Sequence, residues 1–108
     1  MSRSDWRYTL EDDSTMIEDV GVVVKIYTDD LEGDRHQRFV VQLNCDQTLL
    51  IVHNIDLVDR VHVRTGDFVE FKGEYEFNHR GGLVHWTHRD PIKKHELGWI
   101  KHAGKLYH

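Results

Sequence analysis

The sequence has few cysteines and no long apolar segment, and these absences exclude several classes of protein. It contains one cysteine, Cys45, which excludes an intramolecular disulfide and fits a reducing compartment. No apolar run approaches the roughly 20 residues that a membrane-spanning helix needs, so no membrane association is expected. The first residues show no apolar stretch typical of a signal peptide. The default expectation is therefore a cytoplasmic protein, and an exported form that has lost a leader is the alternative.

Charge is distributed unevenly along the 108 residues. The formal net charge is −5, but residues 1–34 carry −7, residues 35–88 carry −1 and residues 89–108 carry +3. An acidic chain is a poor candidate for tight, non-specific binding of duplex nucleic acid, because phosphate neutralisation supplies most of that affinity. This balance is still compatible with a local basic patch near Arg35, Arg38, Arg80, Arg89, Lys93 and Lys94.

Histidine is abundant, with nine residues in the chain. If all nine were protonated, the net charge would move from −5 to +4. Because histidine titrates near pH ~6.5 when unperturbed, mildly acidic conditions are expected to change the surface strongly. Most of these side chains are expected to be ordinary exposed polar groups.

Apolar residues alternate with a period of two over much of the chain, which predicts β-strands. Five strands are predicted, at residues 22–27, 38–43, 48–52, 68–78 and 83–88. A short helix or helical turn is predicted at residues 56–63, between the third and fourth strands. This order is typical of an all-β fold, a small five-stranded OB-like barrel. Another small five-stranded barrel and an open α+β sheet are the alternatives.

A single domain is expected over residues 1–108, since the chain contains no repeat and no interdomain linker. Residues 20–90 form the predicted barrel. Residues 1–19 are predicted as an N-terminal extension or a short helix around Trp6, Leu10 and Met16. Residues 91–108 are predicted as an irregular tail that wraps the sheet.

Two short segments place polar residues at the ends of predicted strands. A hydrophobic core alone does not require polar residues at these positions. The two segments are residues 53–56, His-Asn-Ile-Asp, and residues 85–91, His-Trp-Thr-His-Arg-Asp-Pro. They indicate a site. The predicted ligand-binding residues are Arg35, His36, Arg38, His53, Asp56, Arg60 and Trp86.

A divalent metal such as zinc is a further candidate, with His85, His88 and Asp90 as ligands. Their spacing matches no strong metal motif. In a regular strand the two imidazoles would leave opposite faces, so they converge only if the strand ends or bulges near Thr87. Asp90 could instead orient a neighbouring imidazole.

Simpler structural roles compete with these assignments. No cofactor is the first expectation, because histidines that only form structural hydrogen bonds are favoured over a metal site. Asn54 or Asp56 could cap the following turn. Trp86 is expected to belong to the core more readily than to a binding surface. The acidic side chains of the fourth strand are most simply a solvated face, comprising Glu70, Glu74 and Glu76.

Several motifs resemble those of one bacterial family to which no activity is assigned. They run in order from about residue 20 to residue 107, and they include Arg-His-Gln-Arg-Phe at 35–39, His-Asn-Ile-Asp-Leu at 53–57, Gly-Asp-Phe-Val-Glu-Phe at 66–71 and His-Trp-Thr-His at 85–88. The resemblance implies a compact bacterial domain, and it implies no particular chemistry.

Three functions are consistent with these observations, and enzymatic activity is left open. The favoured one is a binding module for single-stranded nucleic acid, another anionic ligand or a protein partner. It would use the face of strands two and three, with Tyr27, Arg35, Arg38 and His53. The second is a small metal-dependent hydrolase acting on phosphodiesters, with Asp56 or Glu74 as base and Arg60 stabilising developing charge. The residues that would hold the metal ion in this hypothesis are His53, His85, His88 and Asp90. The third is a pH-responsive protein-interaction domain.

Overall fold

The computed structural model describes residues 7–89 and 97–108. Over this part of the chain the regular secondary structure is nearly all β-strand, and the only helical element is a 3₁₀ turn at Leu10–Asp12. The strands, in chain order, are β1 (Thr15–Ile26), β2 (His36–Gln42), β3 (Thr48–Asn54), β4 (Phe68–Glu76), β5 (Leu83–His85), β6 (Trp99–His102) and β7 (Lys105–Tyr107). No helix within these residues has the length and apolar character needed to cross a membrane.

The first five strands close into a barrel. Neighbouring strands follow the order β1-β2-β3-β5-β4, and β4 pairs back with β1. The β3–β5 pair is parallel and the other four pairs of the barrel are antiparallel. The long strand β1 makes closure possible, because residues 15–22 pair with β4 while residues 22–26 pair with β2. The closed five-stranded barrel confirms the predicted fold class.

Strand alternation directs one set of side chains into the barrel. Phe39, Leu49, Ile51, Phe71 and Tyr75 are fully buried there. Each such side chain contributes about 1.5–3 kcal/mol through the apolar surface it removes from water. Polar residues also occupy inward positions, and their hydrogen bonds are described below.

The N-terminal region differs from its prediction, because β1 already begins at Thr15 and includes Met16, while Trp6 lies outside the described residues. Before β1, the Thr9 hydroxyl accepts a hydrogen bond from the Glu11 amide, which caps the 3₁₀ turn. Asp19 sits at an inward position of β1, where the Tyr8 hydroxyl donates to its Oδ2 at 2.8 Å. A carboxylate at a buried position hides the alternation that would otherwise reveal a strand.

The segment between β3 and β4 makes one hydrogen-bonded turn and no helix. The Asn54 side-chain oxygen accepts hydrogen bonds from the amides of Asp56 and Leu57, and the Val58 amide donates to the Asn54 carbonyl. The capping role expected at this position therefore belongs to Asn54, and the chain continues without helical structure after the turn.

The C-terminal residues that the structure describes form a hairpin where an irregular tail was predicted. Strand β6 pairs with β4 and strand β7 pairs with β6, so the hairpin extends the barrel sheet. Its turn is made by Ala103 and Gly104, both with positive φ, as a tight two-residue hairpin turn requires. Strands of four and three residues are too short to show a convincing period in the sequence.

Candidate functional site

A groove of about 580 Å³ lies on the outer surface of the barrel. It is bounded by the C-terminal end of β1, the outward residues of β2 and β3, and the loop between β4 and β5. Its described lining residues are Val24, Lys25, Tyr27, Arg38, Val40, Thr48, Leu50, Asn78, Arg80 and Gly82, and we call this surface the β2–β3 groove. Three residues of this described lining are cationic and none is acidic, although the chain as a whole is acidic.

An aromatic ring sits among the cations of the groove. Tyr27 is 41% exposed, and the Lys25 ammonium lies 4.8 Å from its ring centroid. The guanidinium carbon of Arg38 lies 5.6 Å from the same centroid. Arg38 also donates from Nε and Nη2 to the Thr28 carbonyl, at 3.1 and 2.9 Å. These contacts fix a positive charge beside an exposed aromatic surface.

The loop between β4 and β5 brings Arg80 to the other side of the groove. The Asn78 side-chain oxygen accepts hydrogen bonds from the amides of Arg80 and Gly82, at 2.8 and 3.0 Å. Gly82 has a φ of +106°, and a Cβ at this position would overlap the ring of Tyr75. Because a side chain here would collide with the core, the loop conformation depends on glycine.

Three of the predicted ligand-binding residues are engaged outside this groove. Arg35 donates to Asp56 from its backbone amide at 2.7 Å and from Nε at 2.8 Å. These two hydrogen bonds, the backbone one foremost, hold the pKa of Asp56 below its usual value. Arg60 forms an ion pair with Asp29. Exposed pairs of this kind contribute little to stability, because water and salt screen them.

Two predicted site histidines are held by backbone carbonyls. His36 places Nδ1 2.8 Å from the Asp34 carbonyl. His53 is fully buried, with Nε2 3.2 Å from the Asp59 carbonyl and Nδ1 2.8 Å from the Thr87 hydroxyl. Because a carbonyl can only accept, Nε2 carries the proton and the Thr87 hydroxyl donates to Nδ1. Burial lowers the pKa of His53 to about 4, so this imidazole is neutral at neutral pH.

The predicted metal ligands are placed in different surroundings. His85 Nε2 lies 3.0 Å from Glu74 Oε1 and 3.1 Å from Glu76 Oε1. His88 is buried, and its Nδ1 lies 2.7 Å from the Arg89 carbonyl. Asp90 lies outside the described residues. Among those described, the one group of three ligand side chains that come together is Glu74, Glu76 and His85.

Trp86 departs from its expected place in the core. It is 37% exposed and stacks on the imidazole of His85, with ring centroids 4.9 Å apart. The reason is that β5 ends at His85, and Trp86 adopts a φ of +56°. The alternation that would bury Trp86 therefore stops one residue earlier, and Thr87 and His88 are buried instead.

Several residues of the groove were not predicted as site residues. Lys25, Asn78 and Gly82 carry no distinctive local signal, and Arg80 was predicted only as part of a basic patch. Of the other arginines predicted in that patch, only Arg38 lines the groove. Arg35 and Arg89 are not among the lining residues, and Arg89 contacts His108. Lys93 and Lys94 lie outside the described residues. Strand order could have identified the set, since β1, β2, β3 and the β4–β5 loop adjoin in such a barrel.

Comparison with known proteins gives a family and no activity. No curated protein matches the sequence. Residues 4–108 match the family described as "Protein of unknown function (DUF3465)". This match covers nearly the whole chain, which therefore belongs to that family.

Proposed function

We propose that this protein is an OB-like binding module and that its β2–β3 groove binds short single-stranded nucleic acid. The observation that carries the proposal is the composition of the groove, three cations and an exposed tyrosine with no acidic residue among its described lining. In OB barrels the ligand lies on the face of strands two and three and against the flanking loops, which is where this groove lies.

Each part of the groove suits one part of a single strand. Lys25, Arg38 and Arg80 are suited to backbone phosphates, because they bring positive charge to an otherwise acidic protein. Tyr27 offers a ring on which a base can stack. The apolar side chains of the described lining, Val24, Val40 and Leu50, provide a floor that needs no hydrogen-bond partner. This combination suits the general chemistry of a single strand and not a particular sequence.

The binding of a labelled pyrimidine oligonucleotide, measured by fluorescence anisotropy, tests the proposal. Three phosphate contacts predict that affinity falls roughly 20-fold between about 50 and 200 mM salt, from the ~0.7 counterions released per contact on single strands. A duplex of the same length and a neutral oligosaccharide serve as competitors. Equal competition by the oligosaccharide, or affinity that does not change with salt, would contradict the nucleic-acid proposal.

Replacement of Arg80 by alanine is expected to weaken oligonucleotide binding and to lower the dependence on salt. Removal of one phosphate contact reduces the slope of log affinity against log salt by about 0.7. Arg64→Ala is the matched control, because Arg64 is exposed and does not line the groove. Titrations of both variants at several salt concentrations give the slopes, and identical slopes would remove Arg80 from the binding surface.

Replacement of Tyr27 by alanine is expected to weaken binding by about 1–3 kcal/mol, the usual contribution of one stacked base. Tyr27→Phe keeps the ring and loses only the hydroxyl, so it should bind nearly as the unaltered protein does. The two variants are compared in the same anisotropy assay. If Tyr27→Phe lost as much affinity as Tyr27→Ala, the ring would not be a stacking platform.

A further inference from the structure

Three side chains of types that can bind a metal come together on the outer surface where β4 and β5 pair, and none of the three lines the β2–β3 groove. Glu74 and His85 are direct partners in the antiparallel register of the two strands. Glu76 follows Glu74 on the same face of β4, because side chains two residues apart in a strand point the same way. Hydrogen-bonded neighbouring strands therefore hold all three side chains.

The distances between the donor atoms fit a small divalent cation. His85 Nε2 lies 3.0 Å from Glu74 Oε1 and 3.1 Å from Glu76 Oε1. Four ligands about 2.0–2.1 Å from a tetrahedral zinc ion are separated from one another by about 3.3 Å. The observed separations are within a few tenths of an ångström of that spacing.

The surroundings also favour an ion over a simple hydrogen-bonded cluster. Two carboxylates of like charge face one imidazole, which leaves one negative charge in excess even when His85 is protonated. The side chains of Glu74 and His85 are only 17% and 24% exposed, while that of Glu76 is 45% exposed, so the carboxylate of Glu74 is the one that is largely shielded from water. Stacking against Trp86 fixes the plane of the imidazole and keeps Nε2 directed at the carboxylates. One imidazole and two carboxylates suit zinc, manganese or iron(II).

We propose that Glu74, Glu76 and His85 form a binding site for a divalent first-row transition metal, with a water molecule completing the coordination. This site differs from the one predicted from sequence, in which His85 was grouped with His88 and Asp90. It is independent of nucleic-acid binding in the groove, so either proposal can fail without the other.

Titration of the untagged 108-residue protein with zinc after chelator treatment tests the site. Isothermal titration calorimetry is expected to show one zinc ion bound per chain. Glu74→Gln and His85→Gln should each weaken this binding by about 100-fold, since changes even beyond the direct ligands cost ~10–100-fold. His62→Gln and His79→Gln are the matched controls, because both histidines are exposed and lie outside the cluster.

Nitrogen-15 NMR of the histidine side chains identifies the ligand atom directly. Zinc is expected to shift the Nε2 resonance of His85 strongly and its Nδ1 resonance only slightly. The same measurement on the Glu74→Gln variant, whose fold is checked by its amide spectrum, should show no such shift. The proposal is overturned if zinc leaves the His85 resonances unchanged, or if the Glu74→Gln and His85→Gln variants both bind zinc as tightly as the controls do.

Discussion

Lowering the pH from about 7.5 to about 5.0 is expected to reduce the free energy of unfolding by about 2 kcal/mol through His53 alone. The cause is its burial, which removes an imidazolium ion from water. The hydrogen bond from Nε2 to the Asp59 carbonyl favours the charged form, but burial has the larger effect on the pKa. The nearby imidazoles of His88 and His36 also oppose a positive charge at this position, to a smaller extent than burial does.

The direction of the effect follows from the two protonation equilibria. The pKa of His53 is about 4 in the folded protein and has its ordinary value of 6.5 when the chain is unfolded. Between these values the unfolded chain binds a proton that the folded protein excludes, so acid favours unfolding. The full stability is present above about pH 6.5, and about 3 kcal/mol is lost by about pH 4.

Urea unfolding at a series of pH values measures the effect in three proteins. The His53→Gln variant cannot titrate at this position, so its stability should fall with acid by about 2 kcal/mol less than that of the unaltered protein. His62→Gln, which changes an exposed histidine, should follow the unaltered protein. Parallel curves for the unaltered protein and the His53→Gln variant would show that burial of His53 does not oppose its protonation.

This result also bears on the hypothesis of a pH-responsive domain. Acid would act through the core that holds β3 against the segment after β5, because His53 lies in β3 and Thr87 follows β5. Loss of that hydrogen bond would loosen the connection next to Trp86 and His85. Such a response to acid is a change in the stability of the fold. It differs from the hypothesis in which protonation of exposed histidines changes the surface charge.

The barrel could be predicted because its inward positions are mostly apolar and alternate. Phe39 and Val41 in β2 and Val69 and Phe71 in β4 show this pattern clearly. The first half of β1 could not be predicted in this way, because Asp19 occupies an inward position. Its carboxylate accepts a hydrogen bond from the hydroxyl of Tyr8, which lies outside the strand. A hydrogen bond between residues of separate elements leaves no local trace in the sequence.

The residues of the two candidate sites come together mainly through tertiary structure. Tyr27 and Arg38 could be assigned to the groove because both lie at the predicted binding face of an OB-like barrel. Arg80 reaches the groove only through the conformation of a loop that contains two glycines with positive φ. Glu74 and Glu76 have the same alternation as a solvated strand face, and only the register of β4 against β5 brings them to His85.

The second large effect is expected from Gln47→Leu, which should reduce the free energy of unfolding by about 2–4 kcal/mol. Gln47 lies just before β3 and is 1% exposed. Its side-chain amide substitutes for a strand partner, because Oε1 accepts from the Tyr8 amide at 2.7 Å and Nε2 donates to the Tyr8 carbonyl at 3.0 Å. Nε2 also donates to the Gly81 carbonyl at 2.7 Å.

These three hydrogen bonds connect the N-terminal segment, the β2–β3 turn and the β4–β5 loop. Leucine fills a similar volume but cannot form these three hydrogen bonds, and each buried polar group that loses its hydrogen bond costs about 1–3 kcal/mol. Gln42→Leu is the matched control, since the side-chain amide of Gln42 makes a long hydrogen bond of 3.5 Å to Asp46.

Urea unfolding and amide hydrogen exchange at Tyr8 compare the two variants. Exchange at Tyr8 should accelerate in the Gln47→Leu variant alone, and Arg80 should lose its fixed position because the Gly81 carbonyl no longer anchors the loop. If the two variants are equally stable and Tyr8 stays protected in both, the side chain of Gln47 does not hold these segments together.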